Sequence, residues 1–92
     1  MITIEPLYHL ILLDDDFHTY AYVIQMLGKI FAYGHEKAFV LARIVDNQGR
    51  GIVETADHEQ VTNNQRKIHA YGADPRIEAS QGSMSAIIEQ AD

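Results

Sequence analysis

Hydrophobic residues follow a succession of distinct rhythms along this chain, and each rhythm predicts an element. From Leu7 to Leu13 the positions are Leu, Tyr, His, Leu, Ile, Leu and Leu, and three acids end the run. That run is too short for an ordinary helix and suits a buried strand. Val23, Met26, Leu27, Ile30 and Phe31 then recur at three- and four-residue spacing, which predicts a helix capped by Thr19, running to about Tyr33 and stopped by Gly34. Ala38, Leu41, Ala42 and Val45 form the stripe of a second helix from about His35 to Asp46, with Asn47-Gln48-Gly49 tolerating a left-handed exit. Ile52 and Val53 centre a short strand from Gly51 to Ala56. Asp57 and Gln60 resemble the capping box of a third helix carrying Val61, Ile68 and Tyr71. Asn63, Asn64, Gln65, Arg66 and Lys67 make that helix only modestly amphipathic, so one face is expected to lie open to water or to a partner. Gly72 to Gly82, with Asp74-Pro75, Ser80 and Gln81, reads as a loop, and Met84 to Ile88 as a third strand.

The order strand, helix, helix, strand, helix, strand packs most simply as a small sheet covered on one face by helices, an α+β sandwich. A chain of 92 residues, 47% hydrophobic, supports one core and not two, so a single domain is expected over 1–92, with its core at about 7–91 and a loop at about 72–82. The net charge is −6 and the seven Lys and Arg are scattered. That excludes a phosphate-tracking surface, and with it nucleic acid, and favours positively charged partners such as amines, basic peptides or metal ions. No stretch approaches the roughly 20 apolar residues of a membrane span. Met1 to Pro6 lack the features of a secretory signal, and no Cys is present for disulfides, thiolate metal sites or cysteine catalysis. The expected location is the cytoplasm, with no membrane partner.

The chemistry concentrates at Asp14-Asp15-Asp16-Phe17-His18-Thr19, immediately after the first apolar run. Neighbouring carboxylates repel, and they are comfortable only when solvated, when capping a helix N-terminus, or when facing a cation. Asp46 adds a fourth acid near a helix end, where the helix dipole disfavours negative charge. One reading of Asp14, Asp15, Asp16, His18 and Asp46 is a set of oxygen and imidazole ligands for a metal. No His-Glu-x-x-His, phosphate loop or nucleophile elbow accompanies them, and no nucleophile with an adjacent base is visible. A binding protein without cofactor is expected, not an enzyme.

Several segments in order carry a family resemblance. They are the Tyr8-x-Leu10-Ile11-Leu12 strand ending in Asp14-Asp15-Asp16-Phe17, then Val23-Ile24-x-Met26-Leu27 with Lys29 and Phe31, then Glu36-Lys37-Ala38, and then Gln48-Gly49-Arg50-Gly51-Ile52. Together they resemble ClpS, a family of small adaptors that recognise N-degrons and hand substrates to a Clp AAA+ protease. The correspondence runs without gaps from about Tyr8 to Tyr71 and resumes at Met84 to Ala91 after a lengthened loop. The resemblance implies a three-stranded antiparallel sheet packed against three helices. It also implies N-degron peptides and a ClpA- or ClpC-like unfoldase as partners.

Residue by residue, the resemblance places the substrate's free α-amino group at Asp14, Asp15 and Asp46, where the family has Asn, Asp and His. A protonated amine offers three donors, so three carboxylates strengthen the attraction to it and repel one another when the site is empty. The pocket for the first side chain falls on His18, Tyr20, Val23, Ala42, Val45 and Met84, where the family usually has Thr, Met, Val, Met, Val and Leu. A bulky hydrophobic first residue is the expectation. Glu59 and Asn64 match unfoldase-docking positions, with Asn64 in place of the usual Lys, and only about six residues precede the first strand where relatives carry an extension that engages the unfoldase. An interaction module of the same fold that does not bind N-degrons is the alternative.

Overall fold

The computed structural model describes residues 6–91. Its elements are β1 (Tyr8–Leu13), α1 (Tyr20–Phe31), α2 (His35–Gln48), β2 (Arg50–Ala56), α3 (His58–His69) and β3 (Ala86–Gln90). The sheet is antiparallel with order β2-β1-β3, so the first apolar run becomes the central strand. Alternation along β1 sends Leu10 and Leu12 into the core beside Val23, Met26 and Leu27 of α1, Ala42 and Val45 of α2, and Val61 and Ile68 of α3. This is the α+β arrangement that the periodicity and the family resemblance both imply.

Two junctions place the acidic residues. Gly51 on β2 pairs with Leu12 and faces α2, where a Cβ atom would lie 2.9 Å from the Val45 Cγ2 methyl. Only glycine allows this approach without displacing the helix. At the end of β1 the Asp14 N–H donates to the Gly49 carbonyl at 3.0 Å, which ties the acidic tract to the C-terminus of α2. The Leu13 N–H donates to the Ser85 carbonyl at 3.0 Å, fixing the other side of the same turn.

Element ends and caps differ from the sequence expectation at several places. α1 is stopped by Ala32, which takes a left-handed φ of 57°, whereas Gly34 has φ −65° and is the N-cap of α2. A left-handed alanine costs about 1 kcal/mol. Its neighbour Tyr33 offsets this by stacking on Phe31 and donating its hydroxyl to the Val53 carbonyl at 2.6 Å. α2 runs two residues further, to Gln48, and Gly49 makes the left-handed exit at φ 81°. Asp57 caps α3 through the Gln60 N–H, but the Gln60 side chain donates to Glu54 instead of closing the box. β3 begins at Ala86, so Met84 lies before the strand, buried in the core.

The polar face of α3 is also less open than its composition suggests. Asn64 is buried, and its amide donates to both oxygens of Glu54 on β2 at 2.9 and 3.0 Å. Gln65 and His69 hold the start of β3, the former donating to the Ala86 carbonyl and the latter accepting the Ala86 N–H. Polar side chains that periodicity assigns to water are used to join α3 to both edge strands.

Candidate functional site

The acidic tract bridges β1 and the N-terminus of α1. Asp15 turns back on the chain, its Oδ1 accepting the Phe17 N–H at 2.8 Å in an Asx-type turn. The same carboxylate receives the Nδ1 of His18 at 2.7 and 2.9 Å, while the Nε2 of His18 lies 2.7 Å from the Gly82 carbonyl. Both ring nitrogens therefore lie within hydrogen-bond distance of oxygen atoms. The His18 side chain is only 4% exposed and packs on the Tyr22 ring, so it rivets the tract to the 72–82 loop. Ser80 Oγ lies 3.4 Å from the same Nε2 and accepts the Asp74 N–H.

A second clamp fixes the loop to the helix. Thr19 caps α1 by accepting the Tyr22 N–H, and its own N–H and hydroxyl donate to Asp74 Oδ2 at 2.7 and 2.8 Å. Arg76 supplies a further backbone N–H and a guanidinium contact to Asp74 Oδ1. Burial, the largest single influence, pushes the Asp74 carboxyl upward, but the Arg76 and Thr19 N–H groups, the Thr19 hydroxyl and the guanidinium together hold it down at about 2. The sequence marks Asp74-Pro75 only as a breaker; that its carboxylate reaches the cap of a distant helix is a tertiary fact. Between the tract and the loop remains an open hollow of about 460 Å³ lined by Phe17, His18, Ala79, Gln81 and Ser83.

On the other side of the tract Asp14 lies within range of the charge of Asp46. Asp14 is exposed as a residue, yet partial loss of water around its carboxyl is the largest cause of a raised pKa. The Asp15 N–H opposes that shift, and the charges of Asp46, Asp15 and Asp16 add to it. Asp46 stands in the last turn of α2, which carries no basic residue, and its Oδ2 accepts the Tyr20 hydroxyl at 2.7 Å. The Tyr20 phenol is raised chiefly by that hydrogen bond, then by loss of water and by the Asp46 charge, with Arg43 opposing and Asp14 adding. Asp14, Asp46, Tyr20 and Arg43 thus form one electrostatic neighbourhood.

Of the residues assigned to the first-side-chain pocket, Val23, Ala42, Val45 and Met84 belong to the core and are 2 to 5% exposed. Tyr20 packs against that core, with its ring edge to the Phe39 ring at 5.8 Å. His18 lies apart from them, in its clamp with Asp15 and Gly82. Phe39, an exposed aromatic on α2, and Arg43 were not singled out by sequence; the three-residue spacing of Phe39 to Ala42 and of Arg43 to Asp46 is the signal that places them on this side of the helix. Among the described residues no three His, Asp or Glu side chains converge as metal ligands, and that holds for Asp14, Asp15, Asp16, His18 and Asp46. Glu59 is exposed on α3 beside the Glu54-bound Asn64, and the two line a shallow polar depression with Gln60, Asn63 and Lys67.

Comparison with known proteins gives these features a lineage. The family model for ATP-dependent Clp protease adaptor protein ClpS matches residues 3–76. The Clp protease adapter ClpS of Rhodococcus jostii is 34% identical over 59 residues, which are 64% of this chain and 53% of that one. ClpS of Neisseria meningitidis is 26% identical over 83 residues, 90% of this chain and 78% of that one. The chain spans about half the length of the Rhodococcus protein and of its Roseobacter denitrificans counterpart. Agrobacterium tumefaciens ClpS2, solved with L-phenylalaninamide bound, superposes with a TM-score of 0.82 over 96% of this chain and 100% of that one, at 15% identity. That likeness establishes the three-strand, three-helix fold independently of side-chain identity. With a family match over most of its length and the matching fold, the chain belongs to the ClpS family of Clp protease adaptors.

Proposed function

We propose that this chain captures the free, protonated α-amino end of a polypeptide with a bulky hydrophobic first residue and passes it to a Clp AAA+ unfoldase of the ClpA or ClpC type. The observation that carries this reading is the charge interaction of Asp14 with Asp46. Two carboxylates near the tie between Asp14 and the C-terminus of α2, one of them raised by burial and by its acidic neighbours, favour a cation with several donors. An α-ammonium is such a cation, and the apolar core that includes Val23, Ala42, Val45 and Met84, and against which Tyr20 packs, suits an apolar side chain attached to it. Membership of an adaptor family, and the free amine of the L-phenylalaninamide held by the Agrobacterium relative, support the same chemistry. Exposed Glu59 on α3 serves as the unfoldase contact in this reading, with Asn64 setting the helix position through Glu54.

One observation favours a second reading. Asp15 is already engaged by His18 and Asp46 by Tyr20, as expected of an interaction module of this fold that binds no free amine. Fluorescence anisotropy of Phe-headed peptides with free and acetylated N-termini separates the two. Binding of the free form alone, lost in Asp46→Asn and competed by L-phenylalaninamide, supports amine capture; no binding of either form rejects it in favour of the module. Accelerated degradation of a Phe-headed substrate by a Clp protease on addition of the chain tests delivery.

A further inference from the structure

We propose that Tyr20 is the internal occupant of the amine site: its hydroxyl holds the Asp46 carboxylate that a ligand's ammonium takes, and the ligand binds by displacing the Tyr20 side chain. This deepens the amine-capture reading and rests on it. The Tyr20 hydroxyl donates to Asp46 Oδ2 at 2.7 Å, and the ring packs edge-on to Phe39 and against the core. Val23, Ala42, Val45 and Met84 are left with at most 5% exposure, so an incoming side chain reaches them only when a covering group moves. A phenol and its ring swing as one rigid unit about χ1 and χ2. Freeing Asp46 for the amine and opening the apolar edge for the first side chain are therefore one event.

The exchange is favourable for a cation. Phenol is a neutral donor and leaves the charges of Asp46 and Asp14 uncompensated apart from nearby Arg43, whereas an ammonium brings three donors and a positive charge. Occupation by Tyr20 lowers the apparent affinity of every ligand that uses Asp46 by the same factor, the fraction of molecules with the ring displaced. The phenol sets a threshold, and discrimination between charged and neutral N-termini remains with the carboxylates.

Tyr20→Phe keeps the ring and its contact with Phe39 and removes only the hydroxyl. The expected result is a rise of about tenfold in affinity for a free-amine Phe-headed peptide, the order expected from one hydrogen bond to a charged acceptor. The acetylated peptide should stay unbound, as it is with the wild type. Unchanged or weaker affinity in a folded Tyr20→Phe protein, with wild-type binding intact, overturns the proposal and makes the hydroxyl a positioning group for Asp46. A ligand-free measurement keeps the lock testable if no peptide binds: the ring-carbon NMR titration of labelled Tyr20 should move to lower pH in Asp46→Asn. An unmoved Tyr20 titration rejects the lock itself, while a moved one with no peptide binding to either protein rejects amine capture.

Discussion

Asp74 and Asp14 are the same side chain in opposite circumstances. Asp74 is 1% exposed, and the fold supplies its donors from Thr19 and Arg76, so its carboxyl is held at about 2 although burial opposes ionisation. Asp14 is exposed, sits among Asp15, Asp16 and Asp46, and is raised by partial desolvation and then by those like charges. A carboxylate provided with internal donors stabilises the native state. One left among like charges adds little to stability and retains an attraction for an external cation. Asp46 lies between these extremes, with a single neutral donor from Tyr20.

The sharpest way to break the contrast is at Asp74. Asp74→Ala strands the Thr19 N–H and hydroxyl and the Arg76 contacts, and should cost about 2 to 4 kcal/mol of stability in urea denaturation. Asp14→Asn should change stability by no more than about 0.5 kcal/mol, since it removes repulsion at an exposed site. A large loss from Asp14→Asn would show that the tract is structural. The next effect belongs to binding: Asp46→Asn should weaken a free-amine Phe-headed peptide by roughly ten- to a hundredfold in anisotropy titrations, while the thermal midpoint stays close to wild type.

Acid separates the two carboxylates within one protein. Asp14 has a folded pKa above its ordinary 3.8, so its ionised form is disfavoured by folding, and protonation as pH falls through the raised value relieves repulsion and removes an amine partner. Asp74 has a folded pKa below its ordinary value, so its contribution is present above 3.8 and is lost as pH falls through about 2. As pH falls through the raised value of Asp14, and before it reaches about 2, the peptide should be released while the loop clamp is still held. Parallel anisotropy and circular dichroism titrations that fall together would remove the distinction. The smallest effect is that of salt. Raising ionic strength should weaken the peptide a few-fold, because exposed carboxylates are screened, and should leave the buried Asp74 clamp nearly unchanged.

Much of the architecture was legible in the residues because it depends on local periodicity. The stripes Val23, Met26, Leu27 and Ala38, Ala42, Val45 all face the core, and the alternation along β1 buries Leu10 and Leu12. Thr19 and Asp57 cap the helices they precede. Element ends were less legible. Ala32 rather than Gly34 stops α1 because the anchor that offsets its left-handed conformation, the bond from Tyr33 to Val53, joins residues 20 apart. Asn64 reads as solvated because its partner Glu54 is on another element.

At the candidate site, the types and positions of Asp14, Asp15 and Asp46 were visible, and so was the family to which their spacing belongs. Their partners were not. His18 reaches Gly82 across 64 residues, Thr19 reaches Asp74 across 55, and Tyr20 reaches Asp46 across 26. Sequence by itself determined the order of elements, the buried stripes, the acidic surplus and the concentration of carboxylates after the first strand, since each follows from neighbours along the chain. Only the tertiary structure decided which carboxylate is satisfied, by His18, Tyr20 or the Thr19 and Arg76 donors, and which still faces a ligand. Hydrogen bonds and charge interactions depend on distances in space, and packing brings together groups that the linear order keeps far apart.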